Sequence, residues 1–486
     1  MKLRNIFLIS IPCILMSCSD KFEQDGKDAA TYETVFTLDD VSNLKNPYMG
    51  WTLYAEGGQL TGSPSAYWYL QDEAAKKYAG VFYLRWRWSD LEPEEGVYAW
   101  ECTDYAKYPI CRDFQNYIKG ALDRGLRLAF RIYVNGRDNH KAATPQYVLD
   151  GAETYIVEPG HQTPYADDEY FLEKYEKFIA AFGKKFNDPS IVDYVDSYGL
   201  GWWGEEHHIE YKNPNKKLES HNRIVRAYAK AFDKVINVIN FGVRTKEQEK
   251  VVYDELGFTS RRDGYASVYF PVSQQNEFVT RFPETPIIAE ACYWGGTHIS
   301  NQEAGKWSSW KDYYRDVVAL ALDTHANYLD LRTETETARY LEDALSDVKL
   351  FVSKGGYKIW PVSVSYCLDG KKLEVVHKWK NSGVGVLPNN NVHLRNKYKV
   401  SIAIFDQDCN MVLRVLSDKI DLSRLIGDTV LESKESLDLS SLPSGSYTIG
   451  VGIINTIEND SKDIRLAVKN PKVLSGEYIS AGELKL

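Results

Sequence analysis

From about residue 41 to residue 354 the chain alternates short apolar runs with longer amphipathic ones, and the pattern changes after Gly355 and Gly356. Eight short runs have strand length: 50–55 (GWTLYA), 80–88 (GVFYLRWRW), 126–134 (LRLAFRIYV), 192–201 (VDYVDSYGLG), 238–243 (VINFGV), 265–270 (YASVYF), 286–294 (PIIAEACYW) and 326–332 (ANYLDLR). The stretches between them carry helical spacing. Residues 169–186 place Phe171, Tyr175, Phe178 and Phe182 three or four apart on one apolar face, and 114–125 closes on Gly125, suited to a helix C-terminus. Strand-then-helix alternation makes a parallel sheet the default. Eight strands are what a (β/α)8 TIM barrel needs, so the fold class is α/β over residues 41–354. Residues 355–486 alternate with period two between turn residues, as in WPVSVSYCL (360–368), KKLEVVHKWKN (371–381) and SYTIGVGIIN (446–455). That pattern predicts an all-β, immunoglobulin-like sandwich domain without the Cys…Trp…Cys core of antibody domains.

The N-terminus changes the picture of where such a protein works. Lys2 and Arg4 precede an apolar run from Ile6 to Met16, too short to span a bilayer. Leu15-Met16-Ser17-Cys18 resembles a bacterial lipobox, so residues 1–17 are expected as a signal peptide and Cys18 as the lipidated first residue. Residues 18–40, acidic and without periodicity, are expected to be a flexible tether. The membrane is then a partner through that lipid, on the outer-membrane surface or its periplasmic face. The formal net charge of -10 speaks against nucleic acid, whose phosphates need a basic surface. Export would permit disulfides; Cys102 and Cys111 form a plausible pair, and the odd count of Cys102, Cys111, Cys292, Cys367 and Cys409 leaves at least one free thiol.

In a TIM barrel the chemistry sits where the strands end. The fourth candidate runs out in SYGLGWWGEEHH (197–208), and the seventh carries Glu290 among Ile287, Ile288 and Ala289. Two carboxylates at one rim suit double displacement at a glycosidic bond, one group protonating the leaving oxygen and the other attacking the anomeric carbon. The competing reading of Glu290 is a buried structural ion pair.

The segment RWRWSDLEPEEGVYAW (85–100), with ATPQYVLDGA (143–152) and residues 168–205, resembles clan A glycoside hydrolases, notably family 42 and related β-galactosidase-like barrels. The likeness covers about residues 45–335 and loosens after residue 210. It implies acid/base and nucleophile glutamates after strands four and seven, here Glu205 and Glu290. One departure stands out: the clan places Asn directly before the acid/base, and this chain has Gly204. Either Asn135 replaces that contact, or the protein binds glycan without turning it over. Glu206 leaves the position of the acid open by one residue.

Arg85 and Arg87 share one face of the second strand if alternation holds. Arg85, Arg87 or Arg131 beside Glu290 would keep a nucleophile ionised; a structural pair of Arg85 or Arg87 with Glu92 is the alternative. Trp88, Trp202, Trp203, Tyr293 and Trp294 are candidate platforms for sugar C–H faces. His207 is expected to tune or hydrogen-bond the acid. Adjacent histidines without HExxH spacing do not predict a metal. No GxSxG, P-loop or strand-linked GxGxxG is present, so no cofactor is expected. The expectation is a retaining glycoside hydrolase; its alternative is a glycan-binding surface lipoprotein on a decayed barrel. Sugar identity, linkage and endo or exo action stay open.

Overall fold

The structure is a computed structural model that describes residues 30–56, 63–136, 143–157, 161–242, 244–292, 306–457 and 462–486. Cys18, Tyr293 and Trp294 lie outside the described residues. Eight parallel strands close a barrel in chain order: Gly50–Glu56, Ala79–Arg87, Arg127–Tyr133, Val192–Asp196, Ile236–Asn240, Thr259–Tyr265, Ile287–Ala291 and Ala326–Arg332, the eighth pairing with the first. These are referred to below as the first to eighth barrel strands. The apolar face expected on Glu169–Phe186 packs onto the barrel, with Phe171, Tyr175, Phe178 and Phe182 all fully buried. Asp168 caps that helix by accepting the Phe171 N–H. Helix Pro109–Asp123 begins with Pro at its first turn and is followed by Gly125 at φ +70°, a left-handed position that favours glycine.

Two four-stranded antiparallel sheets follow as a sandwich. One has the order Thr31–Val35, Ile359–Asp369, Lys372–Asn381, Val430–Asp438; the other Met411–Ser417, Tyr398–Phe405, Ser446–Asn455, Ile479–Lys485. Thr31–Val35 falls inside the stretch expected to be a tether. It is instead an edge strand paired with Ile359–Asp369 from Thr31↔Cys367 to Val35↔Ser363, because an open sheet edge satisfies its backbone groups at little cost in apolar burial. Tyr357, Tyr398 and Leu387 join Tyr48, Tyr83, Tyr194 and Tyr328 in one buried cluster, so the sandwich plugs the N-terminal end of the barrel. Asp193, fully buried there, accepts from the Tyr48 N–H and the Tyr328 hydroxyl and pairs with Arg127. The opposite end of the barrel carries the site.

Two strand expectations shift. The fourth strand ends at Asp196, five residues earlier than its apolar run suggested. The sixth is Thr259–Tyr265, and of the expected YASVYF segment only Tyr265 lies in it. Cys102 and Cys111 are both free thiols, as are Cys292, Cys367 and Cys409. Burial and the neighbouring Cys102 push the Cys111 thiol up to about 12. Among the described residues no helix is long and apolar enough to cross a membrane.

Candidate active site

The loop after the fourth strand is tightly coiled. Trp203, Gly204 and Glu206 have φ of +55°, +73° and +64°, and such left-handed positions in non-glycine residues are strained and cluster at functional sites. The coil is fastened by Gly204 N–H to Gly201 O, Glu205 N–H to Trp202 O, and Trp202 N–H to His207 O. Its effect is to send neighbouring carboxylates to different partners. Glu206 is buried in a pair with Arg244, whereas Glu205 turns to the arginines of the barrel mouth. The carboxylate that meets Glu290 is therefore Glu205.

Inside the mouth, Arg131 Nη1 donates to Glu205 Oε1 at 2.7 Å and its Nε donates to Asp196 Oδ2 at 2.7 Å. Arg85 Nη1 lies 3.7 Å from Glu205 Oε1 and donates to the Tyr54 hydroxyl at 2.7 Å. Arg261, from the sixth strand, reaches both glutamates with one nitrogen: Nη2 is 3.3 Å from Glu205 Oε1 and 2.6 Å from Glu290 Oε2. Arg332, from the end of the eighth strand, donates to the other Glu290 oxygen at 3.1 Å and pairs with Glu336 at 2.9 Å. The guanidinium groups beside Glu290 are thus Arg261 and Arg332, not Arg85 or Arg131, which serve Glu205. Arg87 pairs with Asp90 instead, and Glu92 accepts from Trp88 Nε1 and the Gly96 N–H.

Burial and the nearby Asp263 and Glu290 push the Glu205 carboxyl up to about 7, against the opposing pull of Arg131 and Arg85. Asp196, fully enclosed, is raised by burial although Arg131 and Tyr83 hydrogen-bond it. His207 is lowered by burial, so its ring is uncharged at neutral pH. Glu205, His207 and Asp263 each present one oxygen or nitrogen within 4.8 Å of the others, a spacing within which a cation could be held. A cation there would have to share the Glu205 carboxylate with three guanidinium groups, which favours a proton-handling cluster over a metal centre.

Of the remaining expected site residues, Trp203 is half-buried beside Glu205 and its carbonyl receives Arg131 Nη1 at 3.5 Å. Trp202 has one face covered by His208, with ring centroids 3.6 Å apart. Trp88 is not at the mouth: it is fully buried against Tyr175 and Phe178, because the chain turns into a short helix, Trp88–Leu91, directly after the strand. Asn135 is also not poised for a ligand. Its amide holds the loop, accepting the Gly201 N–H at 2.8 Å and donating to the Tyr155 hydroxyl at 3.1 Å, so it does not replace the clan's Asn. Gly204 has a local reason to be glycine: a Cβ would sit 3.0 Å from Tyr133 Cβ and 3.2 Å from Arg131 Cδ. Arg261, Asp263, Asp196 and Arg332 were not among the expected site residues.

No family model matches the chain, and no curated protein does. Among solved structures it is similar to native xylanase 10C from Cellvibrio japonicus, at 12% identity and TM-score 0.42, covering 65% of this chain and 69% of that one. It is also similar to a GH30 endoxylanase from Clostridium papyrosolvens C71, at 13% identity and TM-score 0.37 over 82% and 96% of the two chains. A third is the beta-glucanase SdGluc5_26A from Saccharophagus degradans, at 11% identity and TM-score 0.37 over 63% and 88%. Likeness at this distance assigns no function.

Proposed function

We propose that this protein is a retaining glycoside hydrolase acting on extracellular or periplasmic oligo- or polysaccharide, with Glu205 as acid/base and Glu290 as nucleophile. The observation that carries this reading is the shared Arg261 nitrogen. Oxygens held at 3.3 and 2.6 Å from one atom are at most the sum, 5.9 Å, apart. Retaining enzymes hold their carboxyl groups about 5 to 5.5 Å apart, whereas inverting ones need about 6.5 to 9.5 Å for an intervening water.

In the first step Glu205 gives its proton to the glycosidic oxygen while a Glu290 oxygen attacks the anomeric carbon, and the bond to the leaving group breaks. The product is a glycosyl ester on Glu290. In the second step the Glu205 carboxylate takes a proton from water, whose oxygen attacks the same carbon and releases Glu290. A carboxyl with its midpoint near 7 suits this exchange, since acid and base forms are both accessible at neutral pH. Arg261 and Arg332 hold both Glu290 oxygens, which fixes the attacking group's orientation. The protein is proposed to reach its substrate as an exported lipoprotein anchored at Cys18.

Gly204 favours a second reading, a glycan-binding lipoprotein without turnover, because no Asn precedes the acid and Asn135 is engaged elsewhere. A glycan panel scored for released reducing ends separates the two. The hydrolase reading predicts cleavage by the wild type and loss of nearly all of it in both Glu205→Gln and Glu290→Gln, with glycan binding kept. Binding without cleavage in the wild type would establish the second reading.

A further inference from the structure

Two inward charges follow each other on the sixth barrel strand, since Arg261 and Asp263 are two residues apart and share a face. Arg261 is enclosed, with 1% of its side chain exposed, and Asp263, at 24%, lies nearer the mouth. The groups facing Glu205 come from every side. Arg85 of the second strand, Arg131 of the third and Arg261 of the sixth are the positive ones. Asp196 of the fourth strand shares Arg131 and Arg261 with it, and Glu290 of the seventh shares Arg261. Among the described residues His207 and Asp263 also face it, their donor atoms within 4.8 Å of each other and of a Glu205 oxygen, and the Cys292 thiol, pushed up to about 12 chiefly by burial, is close enough to feel Asp263 and Glu205. Asp263 is itself held by Arg262, whose guanidinium also reaches the Tyr269 carbonyl and Gln274 Oε1.

Three guanidinium groups around one carboxyl favour its ionised form, and an ionised carboxylate cannot protonate a leaving group. We propose that Asp263 is a positioning residue that keeps the proton on Glu205, setting a second carboxyl group against the three arginines. The inference rests on the acid/base role assigned to Glu205. Asp263 is the largest contribution raising Glu205 after burial itself, and the neutral His207 ring adds no charge of its own.

The test is a carboxyl titration of the mature full-length protein, 13C-labelled at glutamate side chains and kept in EDTA, with Glu205→Gln identifying the Glu205 signal. In Asp263→Asn the Glu205 midpoint is expected to fall by about one pH unit or more, to return in Asp263→Glu, and to stay in place in His207→Gln. Asp263→Ser serves if the Asn variant does not fold. An unmoved midpoint in a folded Asp263 variant overturns the proposal, as does an equal shift in His207→Gln. The titration needs no turnover: if the midpoint moves while no glycan is cleaved, Asp263 keeps its role and the hydrolase reading fails. If glycan is cleaved while the midpoint stays, the reverse holds.

Discussion

Glu205 and Glu290 are held by a single nitrogen, Nη2 of Arg261, although they lie 85 positions apart in the chain. The same guanidinium faces Asp196 through Nε at 3.5 Å, so three buried carboxylates share this side chain, alongside Arg131 and Arg332. Removing one partner of a buried ion network leaves the others less compensated, at up to about 3 to 5 kcal/mol. Arg261→Gln is therefore expected to destabilise the barrel by that order and to abolish cleavage, measured by denaturant unfolding and by turnover. Arg261→Lys should recover part of the stability and little activity, because one ammonium on a flexible stem cannot bridge the two glutamates and also replace the Nε contact to Asp196 as the rigid guanidinium does. Wild-type stability in Arg261→Gln would show that the bridge does not organise the site.

The pH profile follows from Glu205, raised from an ordinary 4.5 to about 7. In the proposed mechanism the acid form protonates the leaving oxygen, so kcat/KM should fall on the alkaline side with a midpoint near 7, and Glu205→Gln should lack that limb. The same shift has a stability consequence. A folded-state midpoint above the unfolded one contributes stability that is fully present below about 4.5 and is lost as the pH rises through about 7. Thermal unfolding across that window should show Glu205→Gln less sensitive to pH than the wild type. A flat turnover profile from pH 6 to 9 would remove Glu205 as the acid.

Gly204→Asn tests whether the missing asparagine marks lost function. At φ +73° Asn is tolerated better than most residues, but its Cβ would press on Tyr133 and on the Arg131 stem that supports Glu205. The expected result is lower activity and a loss of about 1 to 3 kcal/mol in stability, read from kcat/KM and unfolding. A gain in turnover would mean that the loop accepts the clan's residue and that glycine is the defect.

Much of this architecture was legible because apolar periodicity reports burial. Seven of the eight barrel strands overlap the runs that predicted them for most of their length; the choice of Glu205 and Glu290 as the paired glutamates comes from the clan resemblance, not from periodicity. The sixth strand was misplaced for a physical reason: Thr259–Tyr265 carries Arg261, Arg262 and Asp263, two of them facing the site, so its pattern reads as polar loop. The apolar YASVYF that drew attention instead is mostly the loop after it. A strand that builds a charged interior hides itself in this way. Three of the four sheet-edge strands of the sandwich, Thr31–Val35, Val430–Asp438 and Ile479–Lys485, show a weak alternation because their faces are half-solvated. Trp88 shows the limit of motif reading, since an aromatic beside a site motif can belong to the packing behind it.

The central claim is that Glu290 attacks the sugar directly while Glu205 handles the proton. Proton NMR of the first-formed product anomer, recorded before mutarotation on a glycan from the panel that the wild type cleaves, tests it most directly. Two successive displacements at one carbon predict that the anomeric configuration of the substrate is retained. The opposite anomer would mean that water attacks in a single step, making Glu290 a general base and contradicting the account.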